Sequence, residues 1–311
     1  MIVISHFHNE QYLLPFWLKH HKEIFDHGIL IDSNSTDKSV EIIQKIVPDW
    51  EIVKSPMKMF DSGKMDELIM EIERKHVGKT KIVLNSTEFL MIENLYAFKK
   101  LLSKKIFNYL IPTALMVDIG SEQNNEEVDD LITQKNFGVW HDAINVFYLN
   151  KKYSFSKNQR GRFIHNYEDG KYLPGRHACN RNTKRLSKKI AYIRWYYYSP
   201  WNKVMIARKL NIRNTISSND KKNSLSKMHF LDENKYHDTF NYFQKRAYEI
   251  PIYNIRIDLK ISFMLMLRSI TKLIFKIKYS KVFRKLLHII FPTRKLRKKI
   301  SNIIFKILSI K

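Results

Sequence analysis

Two short aliphatic runs near the start of the chain, with one amphipathic helix between them, restrict the fold more than any other feature. Residues 2–4 and 29–31 are β-branched or aliphatic and have polar residues at their ends, which is typical of buried parallel strands. The apolar residues between them recur at helical spacing: Leu13, Leu14, Trp17, Leu18 and His21. The sequence therefore predicts a βαβ unit, whose ligand would lie beyond the carboxyl ends of the strands.

Polar residues follow both predicted strands, at 5–10 and 32–37. The Asp32 carboxylate could accept hydrogen bonds from a base or ribose, and Ser35 or Thr36 could cap a helix that begins near Lys38. A second interpretation stays open, in which Asn9 and Ser35 are ordinary helix caps and Asp32 is a turn residue.

Further strands and helices alternate after this unit. Helical spacing of apolar residues predicts helices over 39–47 and 60–76, and short aliphatic runs predict strands at 51–53 and 81–84. Strands that alternate with helices of this length favour an α/β fold with a mostly parallel sheet.

Several spaced elements stand in order near the start of the chain: Asn9-Glu10, Leu14-Pro15-Phe16-Trp17, His20-His21 and the run from Ile31 to Ser39. They resemble the opening of family-2-type glycosyltransferases, in particular the branch that begins with Asn-Glu, Leu-Pro-x-Trp and Asp-x-x-Ser-Thr-Asp. The resemblance spans roughly residues 1–180.

This resemblance implies a GT-A fold, with a mostly parallel Rossmann-like sheet flanked by helices. It also implies that Asn9, Glu10 and Asp32 belong to the pocket for a nucleotide-activated sugar, and that transfer is an inverting, direct displacement. The acceptor would be a glycan or a lipid-linked molecule in surface polysaccharide assembly.

The segment 85–90 follows the predicted strand at 81–84. In the family this position usually carries Asp-x-Asp-Glu-Phe, whose carboxylates hold Mg²⁺ or Mn²⁺ against the donor diphosphate. Here Asn85 and Thr87 stand where the two aspartates would be, so that only Glu88 keeps a negative charge. Three outcomes stay open: Glu88 and another group hold a metal, the enzyme works without one, or catalysis has been lost.

Basic residues downstream are candidates for the diphosphate, since cationic side chains can stabilise that leaving group without a metal. They are Arg160, Arg162, Arg176 and His177. The stretch 157–177 is similar to the later part of such domains, where a histidine often contacts the metal or pyrophosphate. We therefore expect Arg176 on the diphosphate beside Asn85 and Thr87, and Glu88 and His177 as metal ligands. The alternative is a surface His and Arg in a Gly-Pro turn.

An inverting transfer requires a carboxylate that takes the proton of the acceptor hydroxyl. Asp118, at the end of the predicted strand 111–118, is the first candidate, and Asp142 is the second. A structural or loop role stays open for each.

The net charge of +25 is concentrated at the C-terminus. Residues 258–311 carry fifteen Lys or Arg and one acid, a net +14, whereas the preceding 257 residues carry a net +11. We divide the chain into a nucleotide-sugar domain (1–180), a helical and loop region (181–257) and a basic tail (258–311). The aromatic run 192–201 could line an acceptor sugar site, form a helix on the core, or rest at a membrane surface.

The tail predicts a helical, basic, amphipathic extension. Its longest apolar run, 263–267, falls far short of the ~18 residues that a spanning helix needs. An anionic membrane surface is the expected partner, because basic residues interrupt the apolar ones at regular spacing. Packing against the same domain or a second subunit, and a coding bias towards Lys and Ile, stay open as alternatives. Nucleic acid is a less favoured partner, since no nucleic-acid motif is visible.

No secretory signal precedes the first strand, and the one cysteine, Cys179, makes no internal disulfide. We therefore expect a cytoplasmic enzyme, peripheral on the inner face of the membrane. A catalytically inactive GT-A-like module that binds a glycan or a partner enzyme is the alternative, and a basic nucleic-acid-binding protein is a weaker one.

Overall fold

The computed structural model describes residues 1–120, 128–140, 161–223, 225, 230 and 232–250. The chain divides into two compact units, Met1–Tyr253 and Asn254–Lys311, and the described residues all belong to the first. Asp142, Arg160 and the basic tail lie outside the described residues, so the predictions made for them stay predictions. None of the helices within these ranges is long and apolar enough to cross a membrane.

The N-terminal half alternates strands and helices, as the sequence predicts. The elements are β1 (Ile2–Phe7), α1 (Leu14–His21), β2 (His27–Asp32), α2 (Ser39–Ile46), β3 (Glu51–Lys54), α3 (Ser62–Lys75) and β4 (Lys81–Val83). The four strands pair in parallel in the order β3-β2-β1-β4.

The second half extends this sheet with strands of both directions. The elements are β5 (Glu88–Ile92), α4 (Leu95–Leu102), β6 (Asn108–Val117), α5 (Leu131–Gln134), β7 (Phe137–Trp140), β8 (Gly161–His165), β9 (Lys184–Arg185), β10 (Ala191–Tyr198), α6 (Lys203–Asn211), a 3-10 helix (Ile212–Thr215), α7 (Ser218–Lys222), α8 (Glu233–Gln244) and β11 (Tyr248–Glu249). The strand order runs β11-β7-β6-β8-β4-β1-β2-β3, and β8 is antiparallel to both β4 and β6. The α/β fold class is therefore confirmed.

Helices cover both faces of the parallel strands. Val3 of β1 joins one buried cluster with Trp17 of α1, whereas the next residue, Ile4, joins another with Met65 and Ile69 of α3. Successive side chains of a strand point to opposite faces, so β1 contributes to two cores. With both faces occupied, the strand ends are where polar side chains can gather around a ligand.

The aromatic run at 192–201 is neither a helix nor a membrane-surface segment, which corrects two of the three interpretations made from the sequence. Most of it is β10, which pairs with β5 and β6, and every residue of this strand is buried. Trp201 packs beyond the strand, with its ring stacked on Phe240 at a centroid distance of 3.7 Å. The region 181–257 thus contributes the strands β9, β10 and β11 to the sheet as well as helices.

Candidate functional site

A cavity of about 960 Å³ opens at the carboxyl ends of β1, β2 and β4. Its volume is that of a pocket for a ligand of nucleotide size. The walls come from the loops after β1, β2, β3 and β4, from Arg162 at the start of β8, and from α6 and the 3-10 helix that follows it. The ligand position predicted from the βαβ unit therefore coincides with a cavity.

Asn9 joins the loop after β1 to the loop after β2. Its side-chain oxygen accepts hydrogen bonds from the backbone N–H groups of Thr36 (2.8 Å) and Asp37 (3.3 Å). Its own backbone N–H donates to the Ser35 hydroxyl at 3.1 Å, and its φ of 52° lies in the left-handed region that asparagine tolerates. Asn9 lines the cavity, and the Ser-Thr-Asp turn holds it there.

Asp32 serves this turn rather than the cavity wall. Its carboxylate accepts the backbone N–H of Ser35 at 2.8 Å, and the neighbouring residues Ser33 and Asn34 line the cavity instead. The predicted cap by Ser35 or Thr36 is wrong, because Asp37 accepts the N–H of Ser39 at the start of α2 (2.9 Å).

Glu10 is buried at the cavity wall and forms an ion pair with Arg208 of α6. The Arg208 Nε donates to the Glu10 carboxylate at 2.6 Å, and a second hydrogen bond runs from its Nη2. Nothing in the sequence marked Arg208, which lies 198 residues away in a helix without a motif. This pair joins the motif-bearing loop to α6.

Glu88 is engaged by a guanidinium. Arg162 donates to it twice, from Nε at 2.7 Å and from Nη2 at 2.9 Å, and both side chains are 2% exposed. The backbone N–H of Asn85 donates to the same carboxylate at 2.8 Å. The acid of the predicted metal motif is therefore held by donors on both of its oxygens.

A second buried ion pair, between Asp66 of α3 and Arg176, lies beside the first. Asp66 also accepts the backbone N–H of Gly175 at 2.9 Å, and Arg176 Nη2 donates to the side-chain oxygen of Asn85 at 3.3 Å. Arg162 completes the connection by donating to the carbonyls of Gly175 (2.8 Å) and Arg176 (3.3 Å). Asn85 thus touches both ion pairs, through its N–H and its side chain.

These residues do not fit a divalent metal. Mg²⁺ and Mn²⁺ require free anionic oxygens, whereas Glu88 accepts from Arg162 and Asn85 accepts from Arg176. Within the described ranges no group of three His, Cys, Asp or Glu side chains is arranged to hold a metal ion. Thr87 and His177 line the cavity, and His177 Nδ1 lies 3.4 Å from the carbonyl of Gly161.

Three polar atoms at the cavity wall are buried without a hydrogen-bond partner among the described residues: His6 Nδ1, Ser33 Oγ and Arg176 Nε. Burial lowers the pKa of His6 well below its usual range, and the positive charges of Arg176 and Arg162 lower it further. His6 is therefore neutral at pH 7, and its ring stacks on Phe60 at 5.3 Å. Buried polar atoms without a hydrogen-bond partner are rare in folded proteins, so these three atoms are candidates to hydrogen-bond a ligand in the cavity.

Asp118, the first candidate for the base, is not among the residues that line the cavity. Its carboxylate accepts from the Ser199 hydroxyl (2.6 Å), the Trp201 N–H (2.7 Å) and Lys135 Nζ (3.1 Å). These contacts tie the end of β6 to the segment after β10. The structural interpretation left open for Asp118 accounts for all of them.

Searches against models of protein families and against curated proteins found no match. Among solved structures, TarS 1-349 from S. aureus in complex with UDP-GlcNAc aligns with a TM-score of 0.37 and 14% identity, covering 76% of this chain and 68% of that chain. Its complex with UDP aligns over 44% of this chain and only 40% of its own, with a TM-score of 0.31 and 15% identity.

A second similar structure is glucosyl-3-phosphoglycerate synthase from Mycobacterium tuberculosis, in complex with Mn²⁺, UDP and glucosyl-3-phosphoglycerate. It aligns with a TM-score of 0.29 and 13% identity, covering 53% of this chain and 55% of that chain. Likenesses at these scores are too distant to carry an argument about chemistry.

Proposed function

We propose that this chain is a glycosyltransferase of the GT-A type, which moves a sugar from a nucleotide-sugar donor to a glycan or lipid-linked acceptor in surface polysaccharide assembly. One observation carries the proposal: the loops that bear the Asn-Glu and Ser-Thr-Asp motifs meet at a cavity of about 960 Å³ at the ends of parallel strands. That is where α/β sheets bind nucleotides.

The side chains that follow β1 and β2 differ in chemistry from those gathered at the end of β4, and this supports an orientation for the donor. Ser33, Asn34 and Asn9 bring hydroxyl and amide groups, which suit a base and ribose, whereas Arg162 and Arg176 bring cations, which suit a diphosphate. The nucleoside would then lie over the ends of β1 and β2, with the diphosphate towards the end of β4.

Transfer would follow an inverting displacement. The acceptor oxygen bonds to the anomeric carbon as the bond from that carbon to the diphosphate oxygen breaks, and the diphosphate leaves with the electron pair. The acceptor proton passes to a carboxylate. Asp142 is the candidate we retain for this base, because the carboxylate of Asp118 already accepts three hydrogen bonds.

Binding and turnover of donors test this proposal. The purified chain is titrated by calorimetry with UDP, GDP and CDP. It is then incubated with the corresponding nucleotide sugars, and the release of the nucleoside diphosphate is measured. We expect one nucleotide to bind with a Kd of about 1 mM or tighter, in the usual range for enzyme substrates. If none of the three binds, the proposal fails.

A catalytically inactive module of the same fold is the second candidate. The neutral residues Asn85 and Thr87 at the motif position favour it, because a domain that no longer transfers sugar does not need carboxylates there to hold a metal. This candidate predicts that the chain binds a nucleotide but releases no nucleoside diphosphate from any donor, even when an extract that contains acceptor glycans is present. Sugar transfer to such an extract would exclude it.

We place the enzyme on the cytoplasmic face of an anionic membrane through residues 258–311. Each Lys or Arg near such a surface contributes on the order of 1 kcal/mol, and this segment carries fifteen of them. Full-length chain should co-sediment with vesicles that contain phosphatidylglycerol and stay in solution with phosphatidylcholine alone. Equal partition with both lipids would contradict this assignment.

A further inference from the structure

Two buried Arg–carboxylate pairs occupy the place where the sequence motif would put a metal site. Asp66, Glu88, Arg162 and Arg176 are each 5% exposed or less, and Asn85 connects the two pairs through hydrogen bonds. We call these four side chains the ion-pair cluster. All five residues surround the carboxyl end of β4.

The ion-pair cluster reproduces the charge of a metal site without the metal. Two carboxylates and one divalent cation sum to zero, and so do the two carboxylates and two guanidiniums found here. The neutral residues Asn85 and Thr87 therefore lie at the same strand end as the cationic side chains of Arg162 and Arg176. A diphosphate that approaches this point meets no net repulsion.

The ion-pair cluster also faces the cavity with donors. Arg162 and Arg176 both line it, and the Arg176 Nε has no hydrogen-bond partner among the described residues. Consecutive left-handed residues, Gly175 (φ 84°) and Arg176 (φ 60°), turn the chain at this point. A non-glycine residue in that region is strained, and such strain persists where the surrounding contacts fix it.

We propose that this site binds the diphosphate of its donor without a divalent cation, with the guanidiniums of Arg176 and Arg162 in the place of the metal. The proposal rests on the proposed function, since it assigns the chemistry of that same site. Arg162 holds Glu88 and the loop at Gly175–Arg176, and Arg176 contacts the phosphate oxygens.

Calorimetry of the full chain with UDP, GDP and CDP, once with EDTA and once with Mn²⁺, tests the inference. We expect the Kd of the nucleotide that binds to agree within about twofold between the two conditions. Binding that appears only with Mn²⁺, or tightens about tenfold with it, would overturn the inference and leave the proposed function standing. Absence of binding in both conditions would instead overturn the proposed function.

Variants assign the role to the guanidinium. Arg176→Lys keeps the charge next to Asp66 and removes the planar fork, and we expect it to weaken binding in EDTA about tenfold, the loss of one bidentate contact. The control is Arg74→Lys, since Arg74 pairs with Asp169 at 2.8 Å and lies outside the cavity-lining residues. Circular dichroism and a melting curve establish that both variants fold. Wild-type affinity in folded Arg176→Lys would overturn the assignment.

Discussion

The guanidinium of Arg162 and the carboxylate of Glu88 form a buried bidentate pair, with N–O distances of 2.7 and 2.9 Å, across 74 residues of sequence. Glu88 begins β5 and Arg162 lies at the start of β8, so the pair joins two strand ends at the cavity. It converts the acid of a metal motif into part of a charge-balanced cluster.

Breaking this pair on one side should destabilise the fold strongly. Glu88→Gln leaves the Arg162 guanidinium buried without a counter-charge, and we expect the free energy of unfolding in urea to fall by about 3–5 kcal/mol. The double variant Glu88→Leu/Arg162→Met removes both charges and should recover most of that loss. Asp232→Asn is the control, because Asp232 is half exposed and its pair with Lys235 lies on the surface of α8.

We expect Asp232→Asn to leave the free energy of unfolding essentially unchanged, as for other exposed pairs. The same double variant also tests whether Arg162 takes part in nucleotide binding, because its stability and its affinity for nucleotide are measured separately. If it folds as well as the wild type and still binds nucleotide with unchanged affinity, then Arg162 has no part in the site.

Adding charge back at the motif position should weaken nucleotide binding. Asn85→Asp places a carboxylate about 3.3 Å from Arg176 Nη2 and makes the ion-pair cluster net negative. In EDTA we expect the Kd for a nucleoside diphosphate to rise about tenfold, a conservative figure for one unit charge near the diphosphate. The measurement is calorimetric titration.

The matched control is Asn94→Asp, which adds the same charge at an exposed N-cap. There the side-chain oxygen accepts the N–H of Ala97 at 2.8 Å, and aspartate caps helices as well as asparagine does. An equal loss of affinity in both variants would point to overall charge rather than to the site. Tighter binding by Asn85→Asp in EDTA would contradict diphosphate binding by the charge-balanced ion-pair cluster.

Acid should destabilise the fold through two adjacent histidines. Burial lowers the pKa of His20 to about 4, and its Nε2 donates to the carbonyl of Leu90 at 2.8 Å. Burial also lowers the pKa of His21, helped by the neighbouring His20. His21 donates from Nδ1 to the Trp17 carbonyl (3.0 Å), and its Nε2 accepts the Leu90 N–H (3.1 Å), which only the neutral ring can do.

These lowered pKa values determine how the stability of the fold depends on pH. The unfolded chain takes up protons near pH 6.5 and the folded chain only near pH 4, so stability is complete above about pH 6.5 and falls towards pH 4. His20 alone contributes up to about 3 kcal/mol over that interval. His20→Gln should flatten the decline in urea titrations, whereas His237→Gln, 39% exposed on α8, should leave it unchanged. An unchanged decline in His20→Gln would contradict the assignment.

The sequence predicted the elements with clear periodicity. The four parallel strands and the helices α1, α2 and α3 lie where the sequence predicts them, because each buries one set of residues at a fixed spacing. The aromatic run 192–201 lacked that signal. Its residues are buried on both faces in β10, and continuous apolarity is shared by buried strands and buried helices.

The site was predicted only as far as its motifs reach. Asn9, Glu10 and Asn85, which the motifs marked, line the cavity, and their contact with a donor stays a prediction. Asp66, Arg208 and His6 carried no local pattern. Asp66 pairs with Arg176, 110 residues away, and Arg208 pairs with Glu10, 198 residues away, and ion pairs of that kind leave no spacing to recognise. From the sequence, the neutral residues at 85 and 87 left open whether the site holds a metal. The contacts of Arg162 and Arg176, which bear on that choice, are visible only in the structure.

Gly28 in β2 leaves room for the ring of Trp50 against the sheet. A Cβ on Gly28 would lie 2.0 Å from the ring of Trp50, so Gly28→Ala forces the indole or the strand to move. We expect the free energy of unfolding to fall by about 1–3 kcal/mol, as for other overpacked sites. Gly63→Ala in α3 is the control, because its nearest neighbour would be 3.6 Å away, and alanine favours the helix by about 0.5–1 kcal/mol. Because β2 carries Ser33 and Asn34 into the cavity, Gly28→Ala should also weaken nucleotide binding, whereas Gly63→Ala should leave it unchanged. Wild-type stability of Gly28→Ala in urea would show that Trp50 does not pack against this strand.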